Sequence, residues 1–131
     1  MNAVLTKDVI SMKENLLVDL SRAFAVDTVK LCTAIKERKQ GNALLNQLLR
    51  CGTSIGANIH EANYAASRAD FINKFQIALK ECYETDYWLA IFKDTAMISA
   101  GEYDVMFEKC SKIRKLLISS INTAKGTACN E

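Results

Sequence analysis

The sequence predicts an all-α protein, an antiparallel up-down bundle of four helices, and three observations carry that expectation. There is no proline in 131 residues, so long helices meet no obligatory breaker. Half of the residues are hydrophobic, and in four stretches they recur at intervals of three and four, the period of one helix face. Five glycines, Gly41, Gly52, Gly56, Gly101 and Gly126, are the main punctuation, and the connections left between the stretches are short, which favours antiparallel neighbours.

The first helix is expected from about Met12 to Arg38, with Leu16, Leu17, Leu20, Phe24, Leu31 and Ile35 on one side. Lys36, Arg38 and Lys39 oppose the negative end of its dipole, and Gly41 can supply a left-handed cap. The second, about Asn42 to Ala65, carries Leu44, Leu48, Cys51, Ile55, Ile59 and Ala62 as a seam of the coiled-coil kind. Gly52 and Gly56 lie near that seam at a cost of roughly 1 kcal/mol each, which points to close approach by a neighbouring helix or else to a break in this one.

A third helix opens at the N-cap signature Ser67-Arg68-Ala69-Asp70 and runs to about Met97 through Phe71, Phe75, Ala78, Cys82, Thr85, Leu89 and Phe92. Within it, Lys80 and Glu84 are spaced for a surface ion pair. The fourth opens after Gly101, aligns Tyr103, Met106, Cys110, Ile113, Leu117 and Ile121, and ends before Gly126. The whole reads as one domain over residues 1–131 with short flexible termini, about residues 1–11 and 125–131. Val18, Ala25, Val26 and Val29 of the first helix, with Tyr87, Trp88 and Ile91 of the third, exceed what one small bundle buries, so a symmetric homo-oligomer is expected.

Composition excludes several classes of function. A net charge of +2, from 17 basic and 15 acidic side chains, announces neither nucleic acid nor membrane by itself. The cysteines, Cys32, Cys51, Cys82, Cys110 and Cys129, are odd in number and form no CxxC or Cys/His cluster, so they read as reduced thiols of a cytoplasmic protein. No run approaches the roughly 20 apolar residues of a membrane span, and no export signal opens the chain.

Chemistry finds little to work with. A di-iron bundle needs two Glu-x-x-His pairs, and the one histidine, His60, adjoins Glu61 instead. As a general base His60 lacks a nucleophile and an orienting carboxylate, and a solvent-facing role suits it better. Gly52-Thr53-Ser54-Ile55-Gly56 lacks the lysine and the length of a phosphate loop. Neither catalytic residues, nor a cofactor, nor a metal is expected.

Two clusters can meet phosphates: Lys109, Lys112, Arg114 and Lys115 in the fourth helix, and Lys36, Arg38 and Lys39 at the end of the first. The alternative for both is a solvated helix face. The lightly charged side of helix two, Gln47, Arg50, Ser54, Asn58 and Glu61, is open to a cross-helix contact, a ligand or water.

From Leu45 to Leu89 the chain resembles the 23S rRNA-intervening-sequence, or four-helix-bundle, protein family. The likeness rests on the run from Gln47 to Ala62 around Ser54-Ile55-Gly56-Ala57-Asn58-Ile59, on Ser67-Arg68-Ala69-Asp70-Phe71, and on the run from Ile77 to Leu89 with its Lys80-Glu81 and Glu84-Thr85 pairs. It implies a left-handed up-down bundle assembled as a ring, commonly a homopentamer, with no established enzymatic activity. A distant relative is similar to the basic-ring accessory protein of diversity-generating retroelements, which implies a scaffold for RNA or DNA. The rival expectation is a protein-protein interaction module without nucleic-acid affinity. The chain departs from the family at Cys51, Cys82 and His60, where small residues are frequent, and lacks a proline near the start of helix two. Gly52, Ser54, Ile55, Gly56, Asn58 and Ile59 are the expected helix-packing residues.

Overall fold

A computed structural model describes residues 3–40 and 43–126, with side chains from Ser11 onward. Among the described residues all regular structure is helical: α1 (Ala3–Glu37), α2 (Leu45–Ala62), α3 (Arg68–Asp94) and α4 (Ala100–Lys125). Each helix packs on two neighbours in the cyclic order α1, α2, α3, α4, and the diagonal pairs do not approach.

Contacts across each seam fix the directions. Gly52 lies against Thr28 and Gly56 against Ser21, so α2 runs antiparallel to α1. Arg50 pairs with Glu84 and Glu61 with Lys74 across α2 and α3. Lys93 lies over the Tyr103 ring and Arg114 over the Tyr83 ring across α3 and α4. Arg38 reaches Glu102 while Lys13 reaches Ser119, which makes α1 and α4 antiparallel too. The result is the expected up-down bundle of four.

The core follows the predicted spacings. Leu17, Phe24 and Ile35 of α1, Leu48, Ile55 and Ile59 of α2, Phe75, Leu89 and Phe92 of α3, and Ile113 and Leu117 of α4 are almost wholly buried. Leu16 on the predicted α1 stripe and Leu44 on the predicted α2 seam are exceptions, for both remain exposed, and Leu44 stands just ahead of α2. Cys32, Cys51, Cys82 and Cys110 are buried free thiols within this core, and Cys129 lies outside the described residues. Burial pushes the Cys32 and Cys51 thiols up to about 11, so both are protonated at neutral pH.

Helix boundaries differ from expectation in ways with local causes. α1 begins at Ala3, ahead of Met12, because no glycine or proline interrupts the earlier residues. Its end is a Schellman turn in which Lys39 takes the left-handed conformation (φ 58°), and Gln40 N–H donates to the Ile35 carbonyl. The expected cap, Gly41, lies outside the described residues, as does Asn42. α2 is continuous through Gly52 and Gly56, which settles close approach over a break.

Ser67 caps α3 as predicted, its hydroxyl accepting from the Asp70 N–H. α3 ends at Asp94, short of Met97, in a second Schellman turn with Ala96 left-handed (φ 61°). Met97 and Ile98 then fold back over the end of the core. α4 starts before Gly101, because Ser99 and Glu102 form a reciprocal capping box. Gly126 supplies its left-handed C-cap at φ 71°. No helix of the described residues is long and apolar enough to cross a membrane.

Candidate nucleic-acid interface

The seven predicted cations divide into engaged and open groups. Arg38 makes a two-pronged contact with Glu102 at 2.7 and 3.2 Å, Lys109 pairs with Asp27 at 2.8 Å, and Arg114 pairs with Asp86 at 2.8 Å. The Arg38 guanidinium and the Ser99 N–H hold the Glu102 carboxyl down near 2. Arg114 is half sunk in the α3–α4 seam over the Tyr83 ring, where it serves the fold. Lys36, Lys39, Lys112 and Lys115 are exposed, with no ion-pair partner among the described residues.

The two clusters are not one patch. Arg38 lies level with Glu102, and Lys112 and Lys115 follow roughly 15–20 Å farther along α4 at the helical rise. Around the second cluster, Val105, Lys109, Ser111, Lys112 and Lys115 line a shallow surface groove together with Glu108. Its cations sit at successive turns, a spacing that follows a phosphate backbone, and one carboxylate tempers their field.

The lightly charged side of α2 is divided between contacts with α3 and solvent. Arg50 bridges to Glu84 and lies 3.5 Å from Glu81, so Glu84 is taken from Lys80 and the expected Lys80–Glu84 pair does not form. Asn58 donates to the Ser54 carbonyl at 2.9 Å and to its hydroxyl at 3.1 Å. Ile55 and Ile59 are buried, while Gly52 and Gly56 admit α1. Gly52, Ile55, Gly56 and Ile59 therefore lie in the α2 packing, while Ser54 and Asn58 bond to each other within α2. His60 is exposed against the Tyr64 ring, with Glu61 turned away to Lys74. Among the described residues no His, Cys, Asp and Glu side chains gather as a metal would need.

The profile of the 23S rRNA-intervening sequence protein family matches residues 13–119. The chain belongs to that family. A crystal structure of a protein of unknown function from the S23 ribosomal protein family of Bacteroides thetaiotaomicron superposes with a TM-score of 0.82. It is 46% identical, covering 84% of this chain and 98% of that one. No curated protein matches. The intervening-sequence family is one of unknown function, and the resemblance read from residues 45–89 extends over most of the bundle.

Exposed aromatics stand on the outer surface of α3 and α4. Tyr83 and Tyr87 stand more than half exposed, Phe107 stacks on Tyr103 at 5.5 Å, and Tyr87 meets Trp88 edge-on at 5.1 Å. On the opposite side of the bundle α1 exposes Val26 and Val29. The signal was present in the surplus apolar residues of helices one and three, but Phe107 lay hidden beside the α4 stripe.

Proposed function

We propose that this protein is a non-catalytic, cytoplasmic scaffold built of several copies of the bundle, which holds RNA or DNA against basic helix faces. The observation that carries the reading is the pair of unlike exposed faces: aliphatic on α1, with Val26 and Val29, and aromatic along α3 and α4, with Tyr83, Tyr87 and Phe107. Two unlike faces on opposite sides of one molecule favour head-to-tail contact, and head-to-tail contact closes into a ring when the rotation allows. Repetition around a ring multiplies the modest charge of Lys112 and Lys115 into a field that phosphates follow.

A second reading is favoured by the ion pairs. Arg38, Lys109 and Arg114 are spent on Glu102, Asp27 and Asp86 within one copy, while the exposed Tyr83 and Tyr87, with Arg114 over the Tyr83 ring, have the composition of protein-binding hot spots. On that reading the bundle is a protein-protein interaction module with no nucleic-acid affinity.

Fluorescence anisotropy of a labelled RNA stem, titrated at low and near-physiological salt, separates the two. Scaffold binding falls steeply with salt and weakens in the double variant Lys112→Glu/Lys115→Glu, whose melting temperature stays at the wild-type value. Equal affinity in that variant removes the assignment to these lysines. Sedimentation of Val26→Glu/Val29→Glu tests self-association, and the expected result is a shift toward single copies.

A further inference from the structure

The two ends of the bundle are finished differently. At one, Met97 and Ile98 from the α3–α4 connection plug the core and are buried. At the other, the α2–α3 connection turns Tyr64 out to solvent and brings Asn63, Ala65 and Ser67, none of which plugs the core, and a cavity of about 470 Å³ remains there. α1, the α2–α3 connection, the start of α3 and the end of α4 all contribute to its lining. The volume falls within the ordinary range of small-molecule sites.

The lining is chemically mixed. Phe71, half-buried, supplies an apolar wall. Lys13, which also donates to Ser119 at 2.8 Å, and Arg68 bring positive charge, and Arg68 has no partner among the described residues. Glu14 likewise has no ion-pair partner there, and burial already raises its carboxyl above the usual carboxylate range. The hydroxyl of Ser120 is buried without a hydrogen-bond partner, although Ser120 belongs to the same lining. Buried polar groups in native proteins are almost always satisfied by protein, water or ligand, so the Ser120 hydroxyl beside the cavity is free to bond a molecule bound there.

We infer that this cavity binds a small organic molecule with an anionic group facing Lys13 and Arg68, an amino group facing Glu14, and a flat apolar body against Phe71. An aromatic amino acid and an adenine nucleotide share that chemistry. The nucleotide presents phosphate and a ring amine, the amino acid a carboxylate and an ammonium group. Neither depends on the surface lysines of α4, so the site stands apart from the nucleic-acid reading.

Two titrations of the ¹⁵N-labelled full chain, with L-phenylalanine and with AMP, test it. At least one probe should shift backbone resonances clustered at residues 62–71 and 120–124. Arg68→Gln should weaken that binding by at least about tenfold through loss of a charge-assisted contact, and Glu14→Gln by a similar factor. Ala65→Trp, which fills the cavity from an exposed connection, should abolish the shifts. Silence with both probes overturns the inference, as does binding that persists unaltered in Arg68→Gln and Ala65→Trp. Unaltered affinity in Glu14→Gln overturns the amino-group assignment.

Discussion

Thr28 and Gly52 set the distance between α1 and α2. A methyl group at Gly52 would come to 2.7 Å from Thr28 Cγ2 and 2.8 Å from its Oγ1. Thr28 has little freedom to turn away, because it is fully buried and its hydroxyl donates to the Phe24 carbonyl at 2.8 Å. Gly52→Ala should therefore destabilise the bundle despite a helix-propensity gain of about 1 kcal/mol, since overpacking a tight core costs about 1–3 kcal/mol. In a Thr28→Ala background the two nearest atoms are gone and only the Cβ, at 3.2 Å, remains close, so the same change should cost much less or become neutral. Urea denaturation of the four proteins gives this cycle, and simple additivity would contradict the steric account. Glu102 makes a different kind of prediction. Its folded pKa is lowered from 4.5 to about 2, chiefly by the Arg38 hydrogen bond. Its contribution is complete above the unfolded value and is lost as pH falls from about 4.5 toward 2. Glu102→Gln, which can keep the capping box, should show a flatter loss of stability over that window. Glu81 and Asp86 work in the opposite direction. Burial raises both, so what they contribute is present at low pH and is lost as pH rises through their folded values.

Helix ends, more than helix middles, separate what the sequence told from what it hid. The periods of three and four located every core face, because burial of a stripe is a local consequence of spacing. Ser67 and Gly126 were legible as caps because serine and glycine have one strong reason to stand there. Lys39 and Ala96 were not, since neither residue advertises a left-handed backbone. The start of α4 was misplaced because Gly101 drew the boundary, although Ser99 and Glu102 hold a capping box around it. The candidate site was legible only as residue types. Asp27, Asp86 and Glu102, which occupy three of the seven cations, come from other helices and leave no trace in local spacing. Lys39→Gly and Ala96→Gly should each raise stability by about 0.5–1 kcal/mol by relieving the left-handed strain, measured as a higher urea midpoint at unchanged slope. Lys39→Gly also removes a cation, so the same protein tests whether that helix end contributes to RNA affinity.

For the whole molecule, the cyclic order of helices makes four seams of unequal origin. Three join helices that are consecutive in the chain: Thr28 and Gly52 are 24 residues apart, Glu61 and Lys74 are 13, and Asp86 and Arg114 are 28. The fourth joins the first helix to the last, and its contacts Arg38–Glu102, Lys109–Asp27 and Lys13–Ser119 span 64, 82 and 106 residues. Loop-closure entropy makes such contacts the last to repay their ordering, so hairpins should assemble first and the α1–α4 seam should zip afterward. Removing its charge pairs with Asp27→Asn and Arg38→Gln should then leave the refolding rate unchanged. Unfolding should be faster by a few fold, because exposed pairs contribute modestly, and stopped-flow fluorescence of Trp88 reads both limbs. On this view Arg38 and Lys109 act as latches that hold α1 shut against α4, and the lifetime of a folded copy depends on how long they stay fastened.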